Sequence, residues 1–271
     1  MRDVAVLLFF MAVSVAAFRR PFYGALLWVL FGLMNPHRMT FGFAYSLPFA
    51  QMAVIVTVLA AFAHRNEVRW PRGAPIALLL AFIVWMGLTT FVAIVPEPSM
   101  NKYIDVLKVL GMTLVVATLI RTREEIMGLV WVIVLSMGYF GTKGGLFTIS
   151  TGGGFRVWGP PNSLVEGNNE LAVALIMTIP LIYFLATNAG VARDFRPVLR
   201  LSDRVIRLGC YLGVVLCAAS ALGSQSRGAL LAIAAMVTML WWRSKAKLGV
   251  GVALLLAILV AIPMLPDTWF E

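Results

Sequence analysis

Apolar residues run along almost the whole chain in long blocks, at about 4–18, 21–34, 47–63, 75–95, 103–120, 126–142, 169–188, 208–225, 227–242 and 248–265. Blocks of this length between short polar connections predict about ten membrane helices. Several are shorter than the ~20 residues that span a bilayer. The first two are therefore tilted, partly re-entrant, or continued by neighbouring polar residues. The alternating ten-residue pattern of an outer-membrane barrel is absent. In hydrocarbon only helices and closed barrels satisfy the backbone, so the expected fold is all-α: a polytopic helical membrane protein, one transmembrane helical domain over 1–271. The block 4–18 has the length of a signal peptide. Its weak charged start, its Arg19-Arg20 end and the lack of a clear small-residue cleavage site read instead as a retained helix.

Composition agrees. The 271 residues are 61% hydrophobic and 13% charged, with a mean hydropathy of +0.91, a balance that excludes an ordinary soluble domain. Cys210 and Cys217 stand seven apart on one apolar block, ~10.5 Å of helical rise and too far for a bridge within the helix. They read as small buried hydrophobes. With two histidines and no Cys/His cluster, no metal site is visible.

The net charge of +10 changes the picture through its placement. Arg19 and Arg20; Arg65, Arg69 and Arg72; Arg121 and Arg123; Arg193, Arg196, Arg200, Arg204 and Arg207; and Arg243, Lys245 and Lys247 fall at alternate connections. These fifteen of the 22 Lys and Arg mark cytoplasmic loops, so membrane topology and not nucleic-acid binding accounts for most of the charge. Ten crossings put the start of the chain outside; if the first two blocks do not both cross, it is inside. The basic stretch 191–207 is amphipathic and suits the anionic inner leaflet.

The opposite connections are 35–46, 96–102, 143–168, the turn at 224–227 and the residues after 265. Arg38, Lys102, Lys108, Lys143, Arg156 and Arg227 belong to these outer loops or helix ends, against the insertion bias. Acidic Glu97, Asp105, Glu166 and Glu170 share that side. Lys102 or Lys108 pairs with Asp105 at helical spacing; the other four cations have no such acidic neighbour in sequence. The loop from Lys143-Gly144-Gly145 through Gly152-Gly153-Gly154-Phe155-Arg156-Val157-Trp158-Gly159-Pro160-Pro161 reads in two ways. It is a flexible connector with an interfacial Trp158, or a glycine-shaped wall presenting Lys143 and Arg156 to an anion. It is no P-loop, because GxxxxGK[ST] is absent. Asn168, Asn169 and Glu170 suit a helix start, and Glu170 is also placed to orient a cation or take a proton. His37, beside Arg38, reads as structural or as a weak substitute base; His64 borders a cytoplasmic cluster.

Gly223-Ser224-Gln225-Ser226-Arg227-Gly228-Ala229 sits between two apolar blocks, and no acidic residue lies between 208 and 242. An arginine near hydrocarbon costs ~2.5–3.5 kcal/mol on insertion scales and marks a functional site by default. The plainer reading is that Arg227 snorkels to a headgroup while small residues let helices pack.

These residues resemble the O-antigen ligase/polymerase superfamily. Ser224-Gln225-Ser226-Arg227-Gly228-Ala229 before an apolar helix is similar to the start of that family's ligase motif. Phe31-Gly32-Leu33-Met34-Asn35-Pro36-His37-Arg38, Trp70-Pro71-Arg72 and Lys143-Gly144-Gly145 look like the branch of exosortase-associated O-glycosylation ligases. The resemblance implies a GT-C-type glycosyltransferase, inverting and free of metal or cofactor. Such an enzyme moves a glycan from undecaprenyl pyrophosphate to the lipid A core at the periplasmic face of the bacterial inner membrane. The family's motif arginine maps onto Arg227. Arg38, Lys102, Lys108, Lys143 and Arg156 are further pyrophosphate candidates by side and charge alone. His37, Asn168, Asn169, Glu170 and Ser226 are candidate polar support. The family then carries a large periplasmic loop with a histidine that activates the acceptor. Here no histidine follows His64 and the sequence stops at Glu271, so the expectation is a chain truncated before that loop, holding the donor-phosphate half of the site. The alternatives are an O-antigen polymerase, a protein O-glycosylation ligase and, in another class, a lipid or polysaccharide transporter. The last predicts polar groups at the membrane midplane.

Overall fold

The structure, a computed structural model, describes residues 1–161, 163, 165–188 and 202–243. Among these residues it is all-helical, without strands. The helices are α1 Arg2–Ala17, α2 Pro21–Leu33, α3 Phe49–Ala63, α4 Ala74–Phe91, α5 Pro96–Leu119, α6 Arg123–Ser150, α7 Asn168–Thr187, α8 Asp203–Gly223 and α9 Arg227–Arg243. Each matches one apolar block. The tenth block and residues 191–201 of the basic stretch lie outside the described residues. Helices α4, α6, α7 and α8 are long and apolar enough to cross a membrane, and the chain is a multi-pass helical membrane protein.

Two compact units form, one from Met1–Phe31 with Thr40–Ile126, the other from Gly32–Met39 with the described residues from Met127 onward. In the first unit, Phe10 of α1 packs edge-on against Phe31 of α2 and Phe49 of α3, with ring centroids 5.4 and 5.1 Å away. Phe31 and Phe49 stack at 5.1 Å. The Asp3 carboxylate accepts hydrogen bonds from the Gly42 and Ala44 N–H groups, each at 3.1 Å. The Arg2 guanidinium lies 6.0 Å from the Phe41 ring. The start of α1 is thus on the side of the 35–46 connection, opposite Arg19 and Arg20.

Helices α4 and α5 form an antiparallel hairpin. Pro96 and Pro98 sit in the first turn of α5, where proline's missing N–H costs nothing. Near the top, the Tyr103 hydroxyl donates to the Ile83 carbonyl at 3.5 Å and abuts Gly87. Near the bottom, the Arg69 N–H donates to the Thr118 carbonyl at 3.3 Å. These two contacts give one register, which sets Asp105 and Lys108 beside the stretch from Leu80 to Ile83, the middle of α4. The expectation that 96–102 is loop, with Lys102 and Lys108 at an outer helix end, is therefore corrected. The helix begins at Pro96 and carries its charges down alongside α4. Lys108 does pair with Asp105, at 2.9 Å.

In the second unit α6 is 28 residues long and continues through Lys143, Gly144 and Gly145 to Ser150. This corrects the reading of those three as the start of a loop. Glycine lowers helix propensity, but here the bare backbone is what the packing needs. Gly141 abuts Cys217 and Leu175, Gly144 abuts Ser220, Gly145 abuts the Leu216 backbone, and Thr148 abuts Gly223. One face of α6 thus lies against α8 at close range, the small-residue packing typical of membrane helices. Cys210 and Cys217 are both free and buried, as their spacing predicts. Leu171, Leu175, Ile179, Ile182 and Leu185 of α7 fill the centre, with Trp131, Val134 and Met137 of α6 and Ile206 of α8 around them. Leu33 packs on this cluster and ties the 32–39 segment to it.

The α6–α8 contact makes a direct prediction. Gly145→Val drives a side chain into the Leu216 backbone and lowers stability by about 1–3 kcal/mol. Gly138→Ala meets nothing within 4 Å and stays within about 0.5 kcal/mol of the parent. Thermal unfolding of the detergent-purified variants measures both.

Candidate functional site

The turn between α8 and α9 uses nearly every residue to hold itself. Ser224 ends α8, is fully buried, and donates its hydroxyl to the Ala221 carbonyl at 2.6 Å. Gln225 takes a left-handed backbone with φ 53°, a conformation that costs a non-glycine residue of order 1–3 kcal/mol and persists only when its surroundings hold it. They do so here: its side-chain amide donates to the Gly153 carbonyl at 3.0 Å. Ser226, buried, caps α9, accepting from the Ala229 N–H at 3.2 Å.

Two further ties come from the 151–168 segment. The Val157 N–H donates to the Gly223 carbonyl at 2.9 Å, and the Asn168 side-chain amide donates to the Ser224 carbonyl at 3.0 Å. The Gly159 N–H donates to the Glu166 carbonyl at 2.9 Å and closes the loop between them. Gly152 and Gly153 turn the chain off α6 with φ 60° and 76°, where a side chain is strained. The loop is therefore braced against the turn and is not a flexible connector.

Arg227 is left over. It is the first residue of α9, its side chain is exposed, and among the described residues no carboxylate pairs with it. A cation at a helix N-terminus faces the wrong end of the macrodipole, at about 0.3–1 kcal/mol. The same end, with the unpaired amides of the first turn, favours an anion. An exposed guanidinium thus stands on the first turn of α9, at the helix end that favours an anion.

The other expected site residues divide between the units. His37, Arg38, Lys143, Arg156, Asn168, Asn169, Glu170 and Ser226 belong to the unit that holds Arg227; Lys102 and Lys108 belong to the first. Arg156 is exposed on the braced loop, its guanidinium 5.9 Å from the exposed Trp158 ring. Lys143 is exposed on α6, two turns below the helix end, and is no part of a glycine wall. Glu170 folds its carboxylate over Gly167, the residue that caps α7. Asn169 is exposed. His37 is buried in a short 3₁₀ turn at Pro36–Met39, entered through Asn35 with φ 50°. Burial and the neighbouring Arg38 charge bring its pKa down to about 4, too low for an effective base near neutral pH. Gln225, Gly153 and Val157 were not expected at the site. Only the adjacency of Gln225 to Arg227 hinted at them, because their partners lie dozens of residues away. Among the described residues no three His, Cys, Asp or Glu side chains converge as a set of metal ligands.

A family model described as "Family of unknown function (DUF5935)" matches residues 1–190, and the chain belongs to that family. The match ends before the 224–227 turn. No curated protein and no solved structure matches the chain.

Two outcomes follow. Asn168→Ala and Gln225→Ala each remove one bridge to the turn and lower stability by about 0.5–1.5 kcal/mol, read as earlier thermal unfolding. For His37 the unfolded chain titrates near 6.5 and the folded one near 4. Between those values the unfolded chain binds more protons, so stability falls as pH drops through that window. His37→Gln flattens this part of a melting-temperature profile against pH.

Proposed function

We propose that the chain is an inverting, metal-independent glycosyltransferase of the O-antigen ligase type. It takes a glycan from undecaprenyl pyrophosphate and joins it to the lipid A core at the periplasmic face of the bacterial inner membrane. The observation that carries this reading is Arg227, presented at an open helix start by a turn whose other residues are committed to holding it. In the reaction an acceptor hydroxyl forms a bond to the anomeric carbon. The bond from that carbon to the pyrophosphate oxygen breaks, and its electron pair leaves with the lipid pyrophosphate. The hydroxyl's proton passes to a general base, for which His37 has the wrong strength. Arg227 offers two parallel N–H donors to the phosphate, and preorganised donors stabilise charge that grows on a leaving group. Arg156, on the loop hydrogen-bonded to the same turn, is the second phosphate candidate.

The acceptor separates this reading from an O-antigen polymerase and a protein O-glycosylation ligase, so the decisive assay offers lipid A core, glycan and protein acceptors side by side. The depth of Asp105 and Lys108 beside α4 is the observation that favours the transporter reading, which predicts lipid movement without glycosidic bond formation. In the purified enzyme, Arg227→Ala abolishes transfer while insertion and melting temperature are kept, and Arg227→Lys restores only a small part. Normal turnover by a well-folded Arg227→Ala protein would overturn the assignment.

A further inference from the structure

Two basic connections of the first unit, 64–73 between α3 and α4 and 120–122 between α5 and α6, meet at one end of the α4–α5 hairpin. The Arg69 N–H donates to the Thr118 carbonyl at 3.3 Å, which makes neighbours of segments distant in sequence. Arg72 and Arg121 each stand three residues from this bond, at most ~11 Å along the chain. Arg65, Arg69, Arg72, Arg121 and Arg123 are all exposed. Among the described side chains no carboxylate pairs with any of them. The acids of these connections, Glu67, Glu124 and Glu125, are fewer than the arginines. Glu125 also turns its carboxylate back onto the Arg121 and Thr122 N–H groups, at 2.7 and 2.9 Å. The Thr122 hydroxyl in return accepts from the Glu125 N–H at 3.2 Å, a capping box that closes the start of α6. The backbone here is satisfied from within, and the guanidinium groups are what it leaves to an outside partner.

The aromatic residues among the arginines identify that partner. Trp70, in the Trp70-Pro71-Arg72 element that the proposed reaction does not use, is exposed, and so is Phe62 in the last turn of α3. The Arg65 guanidinium lies 5.5 Å from the centre of the Phe62 ring. Exposed aromatic rings beside basic residues, at the ends of apolar helices, are the composition of a membrane–water interface. There the ring lies at headgroup level and the guanidinium meets phosphate, which it can hold through two parallel N–H donors. A soluble anion would call for the arginines and not for the aromatics. The charge bias gives this side to the cytoplasm, where anionic lipids attract basic residues next to the membrane. We propose that the 65–72 and 121–123 segments together form a binding site for the phosphate headgroup of an anionic phospholipid in that leaflet. This does not depend on the enzymatic reading.

Lipid titration of the purified protein in a neutral detergent tests it. Phosphatidylglycerol should raise the melting temperature to a plateau, whereas phosphatidylcholine and inorganic phosphate should not. Arg69→Gln with Arg121→Gln leaves the backbone bond to Thr118 in place. This double variant should keep the lipid-free melting temperature and need about ten-fold more phosphatidylglycerol for half the effect. Arg19→Gln with Arg20→Gln removes the same charge from the same side, outside the joined connections, and should respond as the parent does. Equal weakening in both double variants would show diffuse attraction to charge. An equal response to inorganic phosphate would show a site for a soluble anion. Either result overturns the proposal, as does an unchanged titration of the Arg69/Arg121 variant or a parent that does not respond to phosphatidylglycerol. Should the Arg69/Arg121 variant melt earlier without lipid, Arg72→Gln with Arg123→Gln takes its place under the same expectations.

Discussion

The close approach of α6 and α8 is the contact on which the second unit depends. Gly141, Gly144 and Gly145 remove side chains where Cys217, Ser220 and Leu216 come near, and Gly223 does the same opposite Thr148. Without a hydrophobic force between helices in lipid, such proximity is how they gain contact. The approach has a further result at its upper end. It brings the 151–157 loop, which leaves α6, within hydrogen-bonding distance of the turn that leaves α8. The Val157 bond to Gly223 and the Gln225 bond to Gly153 both span that junction. Packing in the apolar region and order in the polar turn are therefore one arrangement.

This explains which parts were legible in the sequence. Hydropathy blocks gave each described helix, because the bilayer imposes length and apolarity on every segment separately. Arg227 stood out for the same reason: it breaks the rule locally. What was not legible required two distant segments at once. Lys143-Gly144-Gly145 reads as a break in propensity terms, and only the face of α8 opposite it makes those glycines helical. Lys102 and Lys108 were placed at a helix end because nothing local shows how far α5 descends beside α4. Asn168 reads as a cap, yet its amide goes to Ser224, 56 residues on.

The two cationic groups of the second unit illustrate different uses of charge. Arg156 is shielded on one side by Trp158 and held on a braced loop, so its position is set by the backbone beneath it. Arg227 gains nothing from its own helix and is oriented by the turn before it. A site formed in this way has little freedom to follow its ligand. On the proposed reading this suits a donor whose place is itself fixed, as a lipid headgroup is by the membrane surface.

The α4–α5 hairpin has a consequence for how the chain enters the membrane. The apolar part of α5 begins only after Lys108, leaving eleven residues to Leu119, or ~16.5 Å of helix against a hydrocarbon core of ~30 Å. Alone, such a segment is a poor substrate for lateral release into lipid. Helix α4 has no such deficit, and Tyr103 reaches it at Gly87. The hairpin therefore favours entry of α4 and α5 into the bilayer as a pair over separate release of α5.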